Sequence, residues 1–371
     1  MHSIEQKILA FAAELNPDSD HHERLERLIC QVSDVDQIID LADKEGLTCL
    51  LYKNLEKSGL LETLSPNQRE RLQTSYYRTA GFNLRLIQEL KEILYLANQE
   101  NIRVVLLQGM ALLQQLYEDI GLRSMVDIDL WVRQKDYTVF TALLTGQGYQ
   151  RDPLYPNTFR KGSTTFDLHT HILWADRIGA CKLLLNKGEE EIYQSARPMA
   201  LEGQKALCLN PYDQVLYLSL HALKHHLNRL IWLADIKGLV ESWNRSDWEA
   251  LMNRAMELGQ EKTLSYLFFL LVHLFDFQLP AEASQLMERK SLHVLEKRIL
   301  RKRMTGGSIP FWAPVLFLSS EKGLRKRFTF IFESVFPRPE IMRQIFVGSS
   351  DRKVWQLYVM RGLELLKRIK R

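Results

Sequence analysis

Val126-Asp127-Ile128-Asp129-Leu130-Trp131-Val132 is an apolar stretch carrying two carboxylates two residues apart. Read as a strand, it sets Asp127 and Asp129 side by side on one face, about 7 Å apart, and turns Val126, Ile128 and Leu130 to the other. One face is core and the other is acidic. Asp is depleted in strands, and two like charges at this spacing repel by roughly 2 kcal/mol at an effective dielectric near 20. A divalent cation reverses that penalty. An isolated Asp-x-Asp also has a plainer account, a turn residue followed by a solvated sheet edge, so the surroundings must decide.

Around this stretch, from Ile102 to about Cys181, strands and helices alternate. Arg103 to Leu107 reads as a short buried strand, followed by Gln108-Gly109 and a helix from Met110 to Ile120 that Gly121 closes. A second helix runs from about Lys135 to Leu144, and Tyr149 opens the next strand. Thr158-Phe159-Arg160 and Thr164 to His169 flank Lys161-Gly162-Ser163, which is hairpin chemistry. The order is β-α-β-α-β-β, an α+β unit. A glycine at a helix start bares first-turn N–H groups and the positive dipole end to an anion. Asp127 and Asp129, with Asp167 on a later strand, can hold hard cations whose coordination substrate phosphates complete.

The flanks read as helical, giving three regions: 1–100, an α+β core at 101–185, and 186–371 with a basic tail. Ser65-Pro66-Asn67-Gln68 supplies an N-cap, a Pro at N1 and a Gln at N3 for a helix running towards Asn98, with Gly81 its expected irregularity. A charged connector from Asn186 to Arg197 and a short extended piece at Ala206 to Leu209 precede Asn210-Pro211-Tyr212-Asp213, another well-marked helix start. Beyond it His221, His225 and Arg229, spaced i, i+4, i+8, are expected on one helix face.

The chain has 371 residues, 46% hydrophobic and 25% charged, so it is globular with more material than one core needs. A formal charge of +4 is too small to imply nucleic acid. Its distribution is uneven: residues 321–371 hold thirteen Lys or Arg against five Asp or Glu, so a polyanion would be met there. Cys30, Cys49, Cys181 and Cys208 have no zinc-ligand spacing and read as reduced thiols. The N-terminus lacks signal-peptide regions, which makes cytoplasmic residence the expectation. The longest apolar runs, Leu264 to Phe275 and Pro310 to Leu318, fall short of the ~20 residues that cross a bilayer.

Taken in order, Gln108-Gly109, Tyr117, Arg123, Asp127-Ile128-Asp129, Gly148-Tyr149 and Asp167-Leu168-His169 resemble the nucleotidyltransferase domain of the DNA polymerase β superfamily. The resemblance is to the uncharacterised bacterial family with a Lys-Gly motif. It covers roughly residues 102 to 171, with a weaker echo from His225 to Asp235. It implies a polymerase β-like core, magnesium or manganese as cofactor, a nucleoside triphosphate as substrate, and transfer of a nucleoside monophosphate to a hydroxyl of a small molecule, a protein or an RNA. By the same resemblance Asp127, Asp129 and Asp167 are the catalytic and metal-holding residues. Gln108, Gly109, Met110 and Arg123 surround the nucleotide, Arg160 is a further candidate for screening the triphosphate, and His169, His225 and Arg229 stand behind them. His169-Thr170-His171 also has the spacing of a zinc pair. One departure matters: Gln108 stands where the family carries Lys, and an amide cannot neutralise a phosphate as an ammonium does. The alternative that follows is a binding module that keeps the fold without performing transfer.

Overall fold

The acidic stretch lies at the centre of a mixed seven-stranded sheet in the computed structural model, which describes residues 4–32, 34–175, 178–320, 322–346 and 352–369. The strands are β1 (Val105–Leu106), β2 (Ile128–Trp131), β3 (Gln150–Arg151), β4 (Thr158–Lys161), β5 (Thr164–His169), β6 (Arg197–Leu201) and β7 (Gln204–Cys208), in the spatial order β3-β4-β5-β2-β1-β7-β6. The pairing of β2 with β5 is parallel and sets Asp129 opposite Asp167 and Trp131 opposite His169. The β4–β5 hairpin turns through Gly162, whose φ of +57° suits a two-residue primed turn, and its register sets Thr158 opposite Asp167. Ile128 and Leu130 are fully buried. The fold is thus α+β, as the alternation implies.

Helices α1 (Ile4–Ala12), α2 (Ser19–Ile29), α3 (Val35–Glu45), α4 (Thr48–Lys57) and α5 (Pro66–Gln99) precede the sheet, and α6 (Gln108–Gln115) and α7 (Tyr137–Gly146) sit between its strands. The α5 start carries a full capping box: Ser65 accepts from the Gln68 N–H, and the Gln68 side chain accepts from the Ser65 N–H. That helix runs unbroken through Gly81, one long helix and not a pair. After α8 (Glu189–Gln194) and the β6–β7 hairpin come α9 (Pro211–Lys224), α10 (Ile231–Val240), α11 (Arg245–Leu258), α12 (Glu261–Phe275), α13 (Ala281–Arg289), α14 (Val294–Met304), α15 (Ala313–Ser319), α16 (Leu324–Val335), α17 (Pro339–Ile345) and α18 (Val354–Ile369).

Several local expectations give way to tertiary context. β2 begins only at Ile128, because Val126 and Asp127 form a bend, and Val126 is 64% exposed instead of facing the core. Helix α6 ends at Gln115, and Gly121 closes nothing: a Cβ there would stand 2.5 Å from the Tyr76 ring, so the glycine admits that aromatic. The sheet runs past residue 185, since β7 pairs in parallel with β1 and brings β6 with it. His221, His225 and Arg229 do not share one helix, because α9 stops at Lys224 and the chain turns through His226 and Leu227 at φ +60° and +52°. Among the described residues no helix is long and apolar enough to cross a membrane. Lys370 and Arg371 of the basic tail lie outside the described residues.

Candidate active site

A cavity of about 680 Å³ opens over the ends of β2 and β5, roofed by the start of α6, the α9–α10 turn and α17. That volume suits a ligand of nucleotide size. Its acidic floor comes from the parallel register. Asp129 and Asp167 are neighbours across β2 and β5, and His169 Nε2 lies 2.9 Å from Asp129 Oδ1 and 4.0 Å from Asp167 Oδ2. Ligand atoms of these three side chains all fall within 4.8 Å of one another. Thr158 donates its hydroxyl to Asp167 Oδ1 at 3.0 Å, fixing that carboxylate from the hairpin side.

Asp127, one residue before β2, lines the same cavity. Burial pushes its carboxyl up to about 7, and the negative charges of Asp129 and Asp167 add to the shift. Asp129, Asp167 and His169 are the converging donors that fit a hard divalent cation, and Asp127 lines the same cavity without joining that group. His171 does not join them. Its Nδ1 is 3.2 Å from Glu189 Oε2, which separates the two histidines of the zinc-like spacing.

The α6 end has no side-chain cap, so its first-turn donors are not met by a capping side chain. Gly109 is there for close approach: a Cβ would stand 2.7 Å from Met125 Sδ and 3.4 Å from Arg123 Nη1. Gln108 holds φ at +46°, a left-handed conformation that costs a side-chain-bearing residue about 1–2 kcal/mol, and its Nε2 donates to the Tyr217 hydroxyl at 3.2 Å. Met110 departs from expectation. Its side chain is buried in the core and does not line the cavity.

Arg123 lines the cavity yet is committed elsewhere. Its Nη2 lies 2.8 Å from Asp235 Oδ2 and its Nε 3.0 Å from the same oxygen, while Tyr117 donates to Asp235 Oδ1 at 2.6 Å. Asp235 is completely buried. Burial opposes the guanidinium charge, and Asp235 more than offsets it, leaving Arg123 above its ordinary value. Tyr117, Arg123 and Asp235 therefore brace the loop that presents Asp127. Arg160 leaves the site altogether: it pairs with Asp152 at 2.9 Å on the outer side of β4. Tyr149 packs edge-on against Phe166 and bonds Glu89, a role in the frame.

The cationic wall joins the expected His225 and Arg229 to residues that sequence reasoning passed over, Lys224 and Trp174. Lys224, at the end of α9, holds its Nζ 3.7 Å above the Trp174 ring, and Trp174 stacks at 6.0 Å on Tyr217, the partner of Gln108. His221, His225, Arg229 and Trp232 complete that side. His221 is buried, its Nδ1 has no protein hydrogen-bond partner, and burial, with the nearby His225 and Lys224, holds it well below its ordinary value. Ile341 and Gln344 of α17 close the far side. One missed contact was legible: a two-residue turn at Gly162-Ser163 pairs Lys161 with Thr164 and hence Thr158 with Asp167. For Lys224 and α17 the sequence carried no signal, since the tertiary fold alone brings them to the sheet.

Residues 31–276 match the family described as uncharacterised nucleotidyltransferase. The chain is also similar to the solution structure of the antibiotic-resistance factor ANT(2'')-Ia, at 16% identity over 46% of this chain and 91% of that one, with a TM-score of 0.35. No curated protein sequence matches.

Proposed function

The chain belongs to the uncharacterised nucleotidyltransferase family, and on that premise we propose that it moves a nucleoside monophosphate from a nucleoside triphosphate to an acceptor hydroxyl. One observation carries the reading: Asp129, Asp167 and His169 converge within 4.8 Å at the floor of the cavity, beside an Asp127 that burial, and then the other two carboxylates, disfavour as an anion. Asp127, Asp129 and Asp167 would hold magnesium or manganese. When bound, such an ion polarises the α-phosphate and lowers the charge at the reacting centre.

The chain's own groups do the rest. The uncapped first turn of α6 meets the cavity at Gln108 and Gly109, and its N–H groups donate to phosphate oxygens. Lys224, on the facing wall, supplies the ammonium that Gln108 lacks. His169 orients Asp129, and Thr158 orients Asp167. The acceptor oxygen bonds to the α-phosphorus as the bridging bond breaks and pyrophosphate leaves. Asp167, whose side chain is 38% exposed, takes the hydroxyl proton. Arg123 serves as a brace instead of a phosphate ligand, because Asp235 occupies its Nε and Nη2. None of the four cysteines is in a disulfide, which supports a reducing, cytoplasmic setting.

The alternative reading, a binding module without transfer, rests on Gln108. Pyrophosphate release from each of the four ribonucleotides, with manganese or magnesium and with or without candidate acceptors, separates the two. Release that Asp129→Ala abolishes supports transfer. A nucleotide-dependent rise in melting temperature with no release under any condition supports the module.

A further inference from the structure

Helices α16 and α18 leave large apolar residues uncovered. On α16 these are Leu324, Phe328, Ile331, Phe332 and Phe336 just after its end, and on α18 Trp355, Val359, Leu363 and Leu366, every one at least 43% exposed. The steps of three and four put each set in one stripe along its helix. The two stripes join, because Phe328, Phe332, Phe336 and Tyr358 follow one another with ring centroids 6.3, 5.2 and 6.1 Å apart. Tyr358 also donates to the Pro337 carbonyl at 2.6 Å, holding α18 against the end of α16. Single exposed apolar side chains need no explanation; two apolar stripes that meet at Phe336 and Tyr358 mark an interaction surface.

Cations surround the patch. Arg325 and Lys326 are exposed on α16, Arg352 and Lys353 are exposed just before α18, and Lys367 is exposed near its end. Residues 321–371 carry thirteen basic and five acidic side chains, a local +8.

We infer that α16 and α18 dock this protein, lying flat, on an anionic lipid surface. Two observations choose that occupant. Like charge opposes pairing with a second copy of the same region. Leu324, Val359, Leu363 and Leu366 are aliphatic and give nucleic-acid bases no ring to stack on, whereas acyl chains accept aliphatic and aromatic side chains alike. With 16 residues, α18 is too short to span a bilayer and long enough to lie in its interface. Between the two helices in the chain stands α17, whose Ile341 and Gln344 line the active-site cavity, so docking fixes that cavity relative to the lipid. This inference is independent of the transfer reading and is tested without nucleotide.

The experiment is co-sedimentation of the full chain with phosphatidylcholine vesicles, with and without phosphatidylglycerol, at low and high salt. The expected result is binding to the anionic vesicles about tenfold or more above the neutral ones, weakened by salt. Phe328→Ser/Phe332→Ser/Trp355→Ser is expected to cut it by about tenfold or more at unchanged melting temperature. Arg325→Glu/Lys326→Glu, which leaves the apolar patch intact, should cut it by a similar factor. Absence of anionic-vesicle binding overturns the inference. So does binding indifferent to both variants, dimerisation in solution that the serine variant reverses, or binding to an RNA homopolymer that survives Leu363→Ser/Leu366→Ser.

Discussion

Arg123 and Asp235, 112 positions apart, form a buried ion pair that fastens the loop before β2 to helix α10. The loop carries Asp127, and the helix belongs to the region that completes the cavity wall. One pair thus ties the acidic floor to its roof.

Removing one partner of that pair leaves an uncompensated buried charge. Asp235→Ala or Arg123→Ala is expected to lower unfolding free energy by about 3–5 kcal/mol in denaturant titration, while the double replacement Arg123→Met/Asp235→Leu costs far less. Equal losses in the single and double variants would show that the pair acts through packing alone.

Asp127 predicts an unusual pH response. Its carboxyl titrates near 7 in the fold against 3.8 in the unfolded chain, so the folded state holds the proton across that window. The stability this gives is full below 3.8 and lost as pH rises through about 7. Asp127→Asn removes the loss and is expected to raise the melting temperature of the metal-free protein above pH 7 by roughly 2–4 °C. In the wild type, stabilisation by added manganese should grow over the same pH range, because metal binding needs the deprotonated ligand. Parallel melting curves for the two proteins at every pH would refute the crowding of charge at this site.

Lys224 and Gln108 face one ligand space, and their effects on nucleotide affinity are expected to be linked. Lys224→Gln should weaken triphosphate binding by about tenfold, the worth of a charge-assisted hydrogen bond. Gln108→Lys added to that variant should recover most of it, read by calorimetry. A Lys224→Gln protein that binds nucleotide as the wild type does would remove the lysine from the site.

Burial keeps His221 neutral, since its value sits well below the ordinary 6.5. As pH falls below 6.5 the unfolded chain takes up a proton that the folded chain refuses, so the group's contribution to stability is present above that pH and lost beneath it. His221→Phe is expected to flatten the acid side of the stability profile measured by thermal melting. An unchanged slope would mean that the imidazole is protonated in place.

The chain by itself determined the parts that depend on neighbours in sequence. The Ser65 capping box, the Asn210 helix start and the Gly162 hairpin follow from local hydrogen bonding and turn geometry, whereas β2 is buried on both faces, Asp129 included, which the alternating pattern did not foretell. The order of motifs from Gln108 to His169 likewise carried the family. Tertiary structure decided what depends on elements distant in the chain. It set the parallel register of Asp129 against Asp167, gave Arg123 to Asp235, turned Met110 into the core, and brought Lys224 of α9 to the cavity that Gln108 lines. Registers between distant strands and pairs across helices are fixed by which apolar faces bury together, and no local spacing encodes that choice.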